Sequence, residues 1–584
     1  MPTDSALTPP GAAARVGAVR TIAARPFELV AWLSIVAALA IVLATFRDYG
    51  VAWDEQGETV YGALLLKYYA SWFHDRSAYE LVNFRFYGGG FELPAAILAR
   101  LLPFGAYETR HLLSALLGVV GLVATWRLGR SLGGDRVGVL SLLLLLLNPT
   151  WYGHTFINAR DVPFASGIAC CLLATLRATE EMPRVRLRTA AFFGLALGTT
   201  MSVRVGGVVA LVFMLLAVAL WLLSRAHQGI SRGALLGDAG KIAMSLAPAL
   251  GVAYSTLAVL WPWAVESPLN PVRAFLMFSR FPFDGLDLFG GKLVSARTLP
   301  ASYLPVLLAV KLPEIVLGGL VLAVLFGLVA SWREPRALLG ARGRRILTVA
   351  FAGTFPIAYF VVCRPVDYNG MRHYLFVVPP LSVVAALGLD GAFRALRYRW
   401  ARSALAVVIT VLALVPLRAL FALHPDQYVY FNALIGGPRG AQGRYELDYW
   451  GTSLADATRA LVRALERRDE LPKAGDPPLK VYVCGNVWSA AVYFPETLVP
   501  TAHVEDADFQ IAIDQFYCKR PPRSERFLSV SRDGALLSYV DDLRAARTTE
   551  RLAAPEPPDR IDDGDAPTRA TWHRAKAPDD VPED

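Results

Sequence analysis

The chain has 584 residues, 54% of them hydrophobic and only 18% charged, with a mean hydropathy of +0.40. That composition excludes an ordinary soluble protein of this size and indicates a polytopic membrane protein. The formal charge of +9 rests mostly on arginines clustered in short loops between apolar runs, so it reads as membrane topology and argues against nucleic acid as a partner.

Residues 1–26 are rich in Ala and Arg, carry Arg15, Arg20 and Arg25, and read as a cytoplasmic tail. Residues 27–46 form a first apolar run of about the length a hydrocarbon core needs. The run is longer than the usual apolar part of a signal peptide and is expected to stay in place as a span. Directly after it stand Trp53-Asp54-Glu55, two adjacent carboxylates placed at a membrane surface. In the first outer loop, 47–110, the segments 61–69 and 91–98 alternate apolar and polar faces at helical spacing and are expected to lie along the interface. Between them Gly88-Gly89-Gly90 permits a sharp turn.

Further apolar segments follow at 111–128, 137–147, 162–176, 189–201, 205–223, 242–261, 303–329, 346–362, 374–389 and 403–421. With the first this makes about eleven spans, of which 137–147 and 189–201 are short. Every Arg/Lys cluster, such as Arg127/Arg130/Arg136 and Arg333/Arg336/Arg342, then falls on the side of the N-terminal tail, which places that side in the cytoplasm. Asp54, Glu55, the loop 148–161, the turn at Arg204, the loops 262–302 and 364–373, and the C-terminal third share the extracytoplasmic side.

From 424 onward the composition changes. A helix-like run at 453–467, strand-like runs at 480–484 and 509–513, and a hairpin pattern at 527–539 around Asp533-Gly534 describe a small α/β domain, assigned to 424–553. Residues 554–584 have the Pro, Asp, Arg and Ala content of a disordered tail. Cys170 and Cys171 lie within a span and read as packing thiols, whereas Cys484 and Cys518 are free to form a disulfide if the domain is extracytoplasmic.

An outward-facing membrane enzyme has no ready nucleotide supply, so an activated group must arrive on a carrier that crosses the bilayer, such as a lipid phosphate. Sugar transfer from that carrier needs a carboxylate for the acceptor proton, cations for the departing phosphate and an apolar groove for the tail. The outer span ends offer Asp54, Glu55 and Asp161 as carboxylates, and Arg204 and Arg372, with Lys67, Arg85 or Lys292, as phosphate contacts. The interfacial helices with their aromatics offer the groove. Each has a plainer explanation. Asp54 and Glu55 are also suited to capping a helix, Asp161 precedes Pro163 as a helix start would, and Arg204 fits a topological turn. Beside Arg372, His373 is expected to pack or hydrogen-bond. His154 reads as structural, with a divalent-ion ligand as the alternative, and no obligatory metal or other cofactor is expected. Glu446 and Asp448 either orient an acceptor or pair within the folded domain.

The first span, Trp53-Asp54-Glu55, the interfacial segments, Asn148-Pro149-Thr150-Trp151-Tyr152-Gly153-His154 and Asn158-Ala159-Arg160-Asp161-Val162-Pro163 together resemble the GT-C family 39 glycosyltransferases, over roughly 27–421. That group comprises protein O-mannosyltransferases and lipid A aminoarabinose transferases. The resemblance implies a catalytic carboxylate at Asp54, a second at Asp161 opening a later span, and Glu55 as part of the Asp-Glu signature of the mannosyltransferase branch. It also implies a polyprenyl-phosphate-sugar donor, inversion at the anomeric carbon, a protein, lipid or glycan acceptor, and a bacterial-type inner (plasma) membrane. The chain departs from the mannosyltransferases in lacking an acceptor-binding domain of their kind. The alternative is a polytopic transporter or lipid flippase using Asp54 and Asp161 as proton-relay acids. Against it, these acids sit at span ends, and no inverted repeat or paired broken helices occur.

Overall fold

The computed structural model describes residues 26–545 except 82, 280, 282 and 474. The tail expected at 554–584, and all of the tail expected at 1–26 except Pro26, lie outside the described residues. Pro26 opens helix α1 (Pro26–Thr45), where its missing N–H costs nothing. After the outer helices α2 (Glu55–Ala70) and α3 (Glu92–Leu101) come α4 (Ala106–Gly133), α5 (Asp135–Leu146), α6 (Pro149–Ile157), α7 (Asp161–Glu181), α8 (Leu187–Val203), α9 (Val209–His227) and α10 (Arg232–Leu260). The chain continues through α11 (Asn270–Ser279), the hairpin of β1 (Leu286–Phe289) and β2 (Lys292–Ser295), and α12 (Tyr303–Lys311). The last membrane helices are α13 (Glu314–Arg333), α14 (Ala341–Cys363), α15 (Val378–Ala395) and α16 (Arg399–Ala422).

The protein is thus a polytopic α-helical membrane protein. Among the described residues nine helices are long and apolar enough to cross a membrane, or ten if α5 and α6, bent by 64° at their junction, make one span. The sequence expectation of about eleven exceeds this for two physical reasons. Pro149 cannot continue α5, and Asn148 caps a new helix instead by accepting the Trp151 N–H at 3.2 Å. The segment expected at 189–201 forms α8, whose 17 residues run about 25 Å and fall just short of a spanning length, although it reaches along α7 from Glu181, paired with Arg186, to Asp161, paired with Arg204.

Helices α4, α7 and α15 bury most of their surface, while α1, α10, α13 and α16 turn most of theirs outward, as lipid-facing helices do. One large core joins α1, α4, α5, α6, α12, α13 and α15 to the stretch from Tyr428 to Trp450. A separate core forms around α17 (Leu454–Arg467), whose Leu454, Ala457, Leu461 and Leu465 make one buried stripe. That stripe lies on a five-stranded sheet of β3 (Leu479–Cys484), β4 (Leu498–Thr501), β5 (Phe509–Ile513), β6 (Glu525–Arg532) and β7 (Ala535–Asp542). The order is β4-β3-β5-β7-β6, with β3 parallel to β4 and β5, and β7 antiparallel to its neighbours. Asp533 and Gly534, both at positive φ, form the two-residue turn of the expected hairpin. Cys484 and Cys518 are joined by a disulfide.

The three glycines of the first outer loop act by letting backbones touch. The Gly90 N–H donates to the Ser202 carbonyl at 3.0 Å and the Gly89 N–H to the Leu260 carbonyl at 2.9 Å. A Cβ on Gly88 would stand 1.7 Å from the Ser202 oxygen. None of the three has a positive φ, so the demand is for space, and it seats the loop on the ends of α8 and α10.

Candidate functional site

Asp54 occupies the N-cap of α2, yet its side chain accepts no capping hydrogen bond and is 47% exposed. The ordinary reason for an acid at this position is therefore absent. Glu55 does the local work instead: it is buried, accepts the Ala52 N–H at 2.8 Å and meets His111 Nε2 at 3.1 Å. Both adjacent carboxylates border the cleft, but Asp54 is exposed to it while Glu55 is buried and engaged with Ala52 and His111.

Asp161 begins α7, and Asn158, in the turn before the helix, accepts the Asp161 N–H at 2.7 Å. The Asn158 amide nitrogen donates to Asp161 Oδ2 at 2.9 Å, and Arg204 Nη2 stands 2.7 Å from Asp161 Oδ1. Asn158 is steadied by His154, whose other ring nitrogen meets the Tyr449 hydroxyl at 3.1 Å. His154 is accordingly part of the scaffold behind Asp161.

Arg372, at the 3₁₀ turn Arg372–Val377 that leads into α15, connects the two acids. Its Nη1 lies 3.8 Å from Asp54 Oδ2 and 3.7 Å from Asp161 Oδ2, in a side chain only 5% exposed. Both separations exceed hydrogen-bond length, and Nε makes no hydrogen bond. The guanidinium lies 5.2 Å from the Trp450 ring and 5.0 Å from the Tyr368 ring. A narrow cleft bounded by Ala52, Asp54, Glu58, Asn158, Arg372 and Trp450 opens here. Although partly open to solvent, the Asp54 carboxyl is pushed above its ordinary value by desolvation among the cleft's surrounding groups, with the nearby Arg372 charge opposing that shift.

The remaining expected cations go elsewhere. Lys67 pairs with Asp75 at 3.1 Å and is 58% exposed. Arg85 donates to the Tyr79 carbonyl at 3.3 Å and lies over the Phe86 ring, and Lys292 is exposed on β2. His373 pairs with Asp367, whose carboxyl burial drives well upward. Asp448 accepts the Thr452 and Ser453 N–H groups and the Tyr428 hydroxyl, while burial, reinforced by the Asp287 charge, drives the Glu446 carboxyl well upward. Among the described residues no group of three or more His, Cys, Asp and Glu side chains is arranged to hold a metal ion.

A buried charge network that reaches the cleft wall through Glu58 and Arg160 escaped the sequence reading. Glu58 pairs with Arg110 at 2.6 Å and with Arg160, and Arg110 also pairs with Glu92. Arg160 lies 3.8 Å from the Tyr87 ring centre, which ties the network to the glycine loop. Two signals pointed to it: Glu58 lies four residues after Asp54, hence on the same helix face, and Arg160 immediately precedes Asp161.

Residues 95–237, from α3 into α10, match the family model described as dolichyl-phosphate-mannose-protein mannosyltransferase. The match includes Asp161 and Arg204, and it agrees with the GT-C glycosyltransferase resemblance drawn from the short motifs. Among solved structures, the chain is similar to ArnT from Cupriavidus metallidurans in the apo state, with 13% identity, a TM-score of 0.44, and coverage of 87% of this chain and 97% of that one. The same protein bound to undecaprenyl phosphate gives 15% identity with the same coverage and TM-score. The archaeal oligosaccharyltransferase AglB from Archaeoglobus fulgidus, in complex with an inhibitory peptide and a dolichol-phosphate, gives 13% identity, a TM-score of 0.44, and coverage of 82% of this chain and 69% of that one. No curated protein matches the chain in sequence.

Proposed function

We propose that the chain is an inverting membrane glycosyltransferase that moves a sugar from a polyprenyl phosphate to an acceptor hydroxyl on the extracytoplasmic side. The observation that carries this reading is the Arg372 guanidinium held between Asp54 and Asp161 with hydrogen-bonding capacity to spare. In the reaction, the acceptor oxygen forms a bond to the anomeric carbon as the bond from that carbon to the phosphate oxygen breaks. Asp54 takes the hydroxyl proton, and Arg372 with Arg204 holds the charge left on the prenyl phosphate. Asp161, engaged by Arg204 and Asn158, orients the two cations. An open, mostly apolar face of α10, formed by Pro248, Gly251, Val252 and Val259 among others, runs to Leu260, where the glycine loop is seated. Such a face suits a prenyl tail lying along it. The Cys484–Cys518 disulfide and the cationic loops at the opposite ends of the helices support an extracytoplasmic C-terminal domain and a cytoplasmic N-terminus.

The test is sugar release from a radiolabelled polyprenyl-phosphate donor by the purified protein. Asp54→Asn should lower turnover by about 10²–10⁴-fold while the protein stays folded in detergent. Wild-type turnover in that variant would remove Asp54 from the chemistry, and movement of the lipid without cleavage would indicate a flippase.

A further inference from the structure

The backbone that presents Asp54 is held from one side by a single distant part of the chain. His424 Nε2 meets Asp48 Oδ2 at 2.9 Å, and the Tyr49 hydroxyl donates to Gln427 Oε1 at 3.2 Å. Gly50 lies so close to Thr452 that a Cβ there would stand 2.1 Å from its carbonyl oxygen. The Val51 N–H donates to the Tyr493 hydroxyl at 3.2 Å, and the Trp53 N–H donates to the Trp450 carbonyl at 3.1 Å. Finally, the Asn486 amide nitrogen donates to the Trp53 carbonyl at 2.8 Å.

Two of these contacts come from the α/β domain itself, from the segment between β3 and β4. Asn486 is fixed at both ends of its amide. Its oxygen caps the short helix Val487–Ala491 by accepting the Trp488 N–H at 2.8 Å, and its nitrogen reaches Trp53. Two residues earlier, Cys484 is tied to Cys518. Tyr493 carries the Arg459 guanidinium over its ring at 4.6 Å, which anchors it to α17.

We infer that Asn486 and Tyr493 are positioning residues for Asp54, and that the C-terminal domain is a working part of the transfer site through them. This rests on the reading of Asp54 as the proton acceptor. Trp53 immediately precedes Asp54, so a shift of its carbonyl is passed directly to the carboxylate. Catalytic geometry tolerates little such movement, since a displacement of about 1 Å can cost about 10²-fold in rate. Neither side chain is placed among the groups that would hold the donor phosphate, so the effect belongs in kcat and leaves donor KM alone.

The test uses Asn486→Asp and Tyr493→Phe in the full-length protein, beside Asp54→Asn. Asn486→Asp keeps the oxygen that caps Val487–Ala491 but loses the N–H offered to Trp53, and Tyr493→Phe removes only a hydroxyl. Turnover is measured per folded molecule, with folding followed by thermal unfolding in detergent. The expected result is a fall in kcat of about tenfold or more in each variant, with donor KM within about twofold of wild type. Wild-type kcat per folded molecule in both variants overturns the inference, as does a rise in KM at unchanged kcat. If both variants are unaffected while Asp54→Asn is inactive, only the positioning role fails. Full activity in Asp54→Asn overturns the positioning role and the proposed mechanism together.

Discussion

Replacing Arg372 by Gln tests the proposed site most directly. The wild-type guanidinium stands 3.7–3.8 Å from two carboxylates without a hydrogen bond to either, and one of those carboxylates, Asp54, is 47% exposed. Its pairing with Asp54 is therefore weak and partly screened, while that with Asp161 is buried but longer than a hydrogen bond. Asp161 keeps Arg204 at 2.7 Å and Asn158 at 2.9 Å when Arg372 is neutralised, so the fold should survive. On the proposed mechanism, what is lost is a charge-assisted contact to a phosphate that gains charge as the sugar departs. Losing one such preorganised donor costs about 3–4 kcal/mol, or about 10²–10³-fold in kcat. Arg372→Lys should fall between Gln and wild type, because it keeps the charge and loses the planar fork. The assay is transfer of labelled sugar from a polyprenyl phosphate at matched amounts of folded protein. Activity of Arg372→Gln within about threefold of wild type would refute the argument, since that is far below the loss expected for a phosphate-holding group.

Glu58 joins two buried guanidiniums and is itself only 3% exposed. Glu58→Gln leaves both under-compensated and should destabilise the protein by about 3–5 kcal/mol, to be read as an earlier thermal unfolding transition; an unchanged transition contradicts the network's importance. Because the Asp54 carboxyl is raised above its ordinary value and must be ionised to accept a proton, activity should be present above its shifted pKa and lost as pH falls through it. The acidic limb of kcat/KM should thus lie above that of an unperturbed aspartate, and a limb at or below that position would count against the assignment. The disulfide closes a separation of 34 residues, so Cys484→Ser should cost the C-terminal domain about 4 kcal/mol on the chain-entropy scale. Limited proteolysis provides the check, and equal protease resistance would contradict the estimate.

The succession of spans was legible because hydrophobicity over some twenty residues is a property of each segment alone. The junction between α5 and α6 was only half legible: Pro149 announces a break, but the 64° bend arises from how the two helices pack. Within the α/β domain, β3, β5 and the Asp533-Gly534 hairpin followed from alternation and turn chemistry. Asp54 and Asp161 could be chosen by type and position at the span ends. Their meeting across one guanidinium depends on contacts between residues more than a hundred positions apart. Lys67 and Arg85 show the reverse problem. An interfacial cation looks available in sequence, yet in the structure Lys67 has Asp75 beside it and Arg85 donates to the Tyr79 carbonyl, contacts that the sequence does not announce. Glu55 likewise shares the motif with Asp54 while turning to Ala52 and His111, a choice set by the tight first turn of α2.

The three glycines that seat the first outer loop also bear on where the protein can change. On that flank the loop meets the ends of α8 and α10 through peptide groups, with the Leu65 and Ser202 side chains close by, so a larger residue at any of the three glycines has no room. Variation in what the cleft admits is therefore left to the opposite flank, where Trp450 and the C-terminal segment stand, and that is the surface on which to seek altered acceptor choice by mutagenesis.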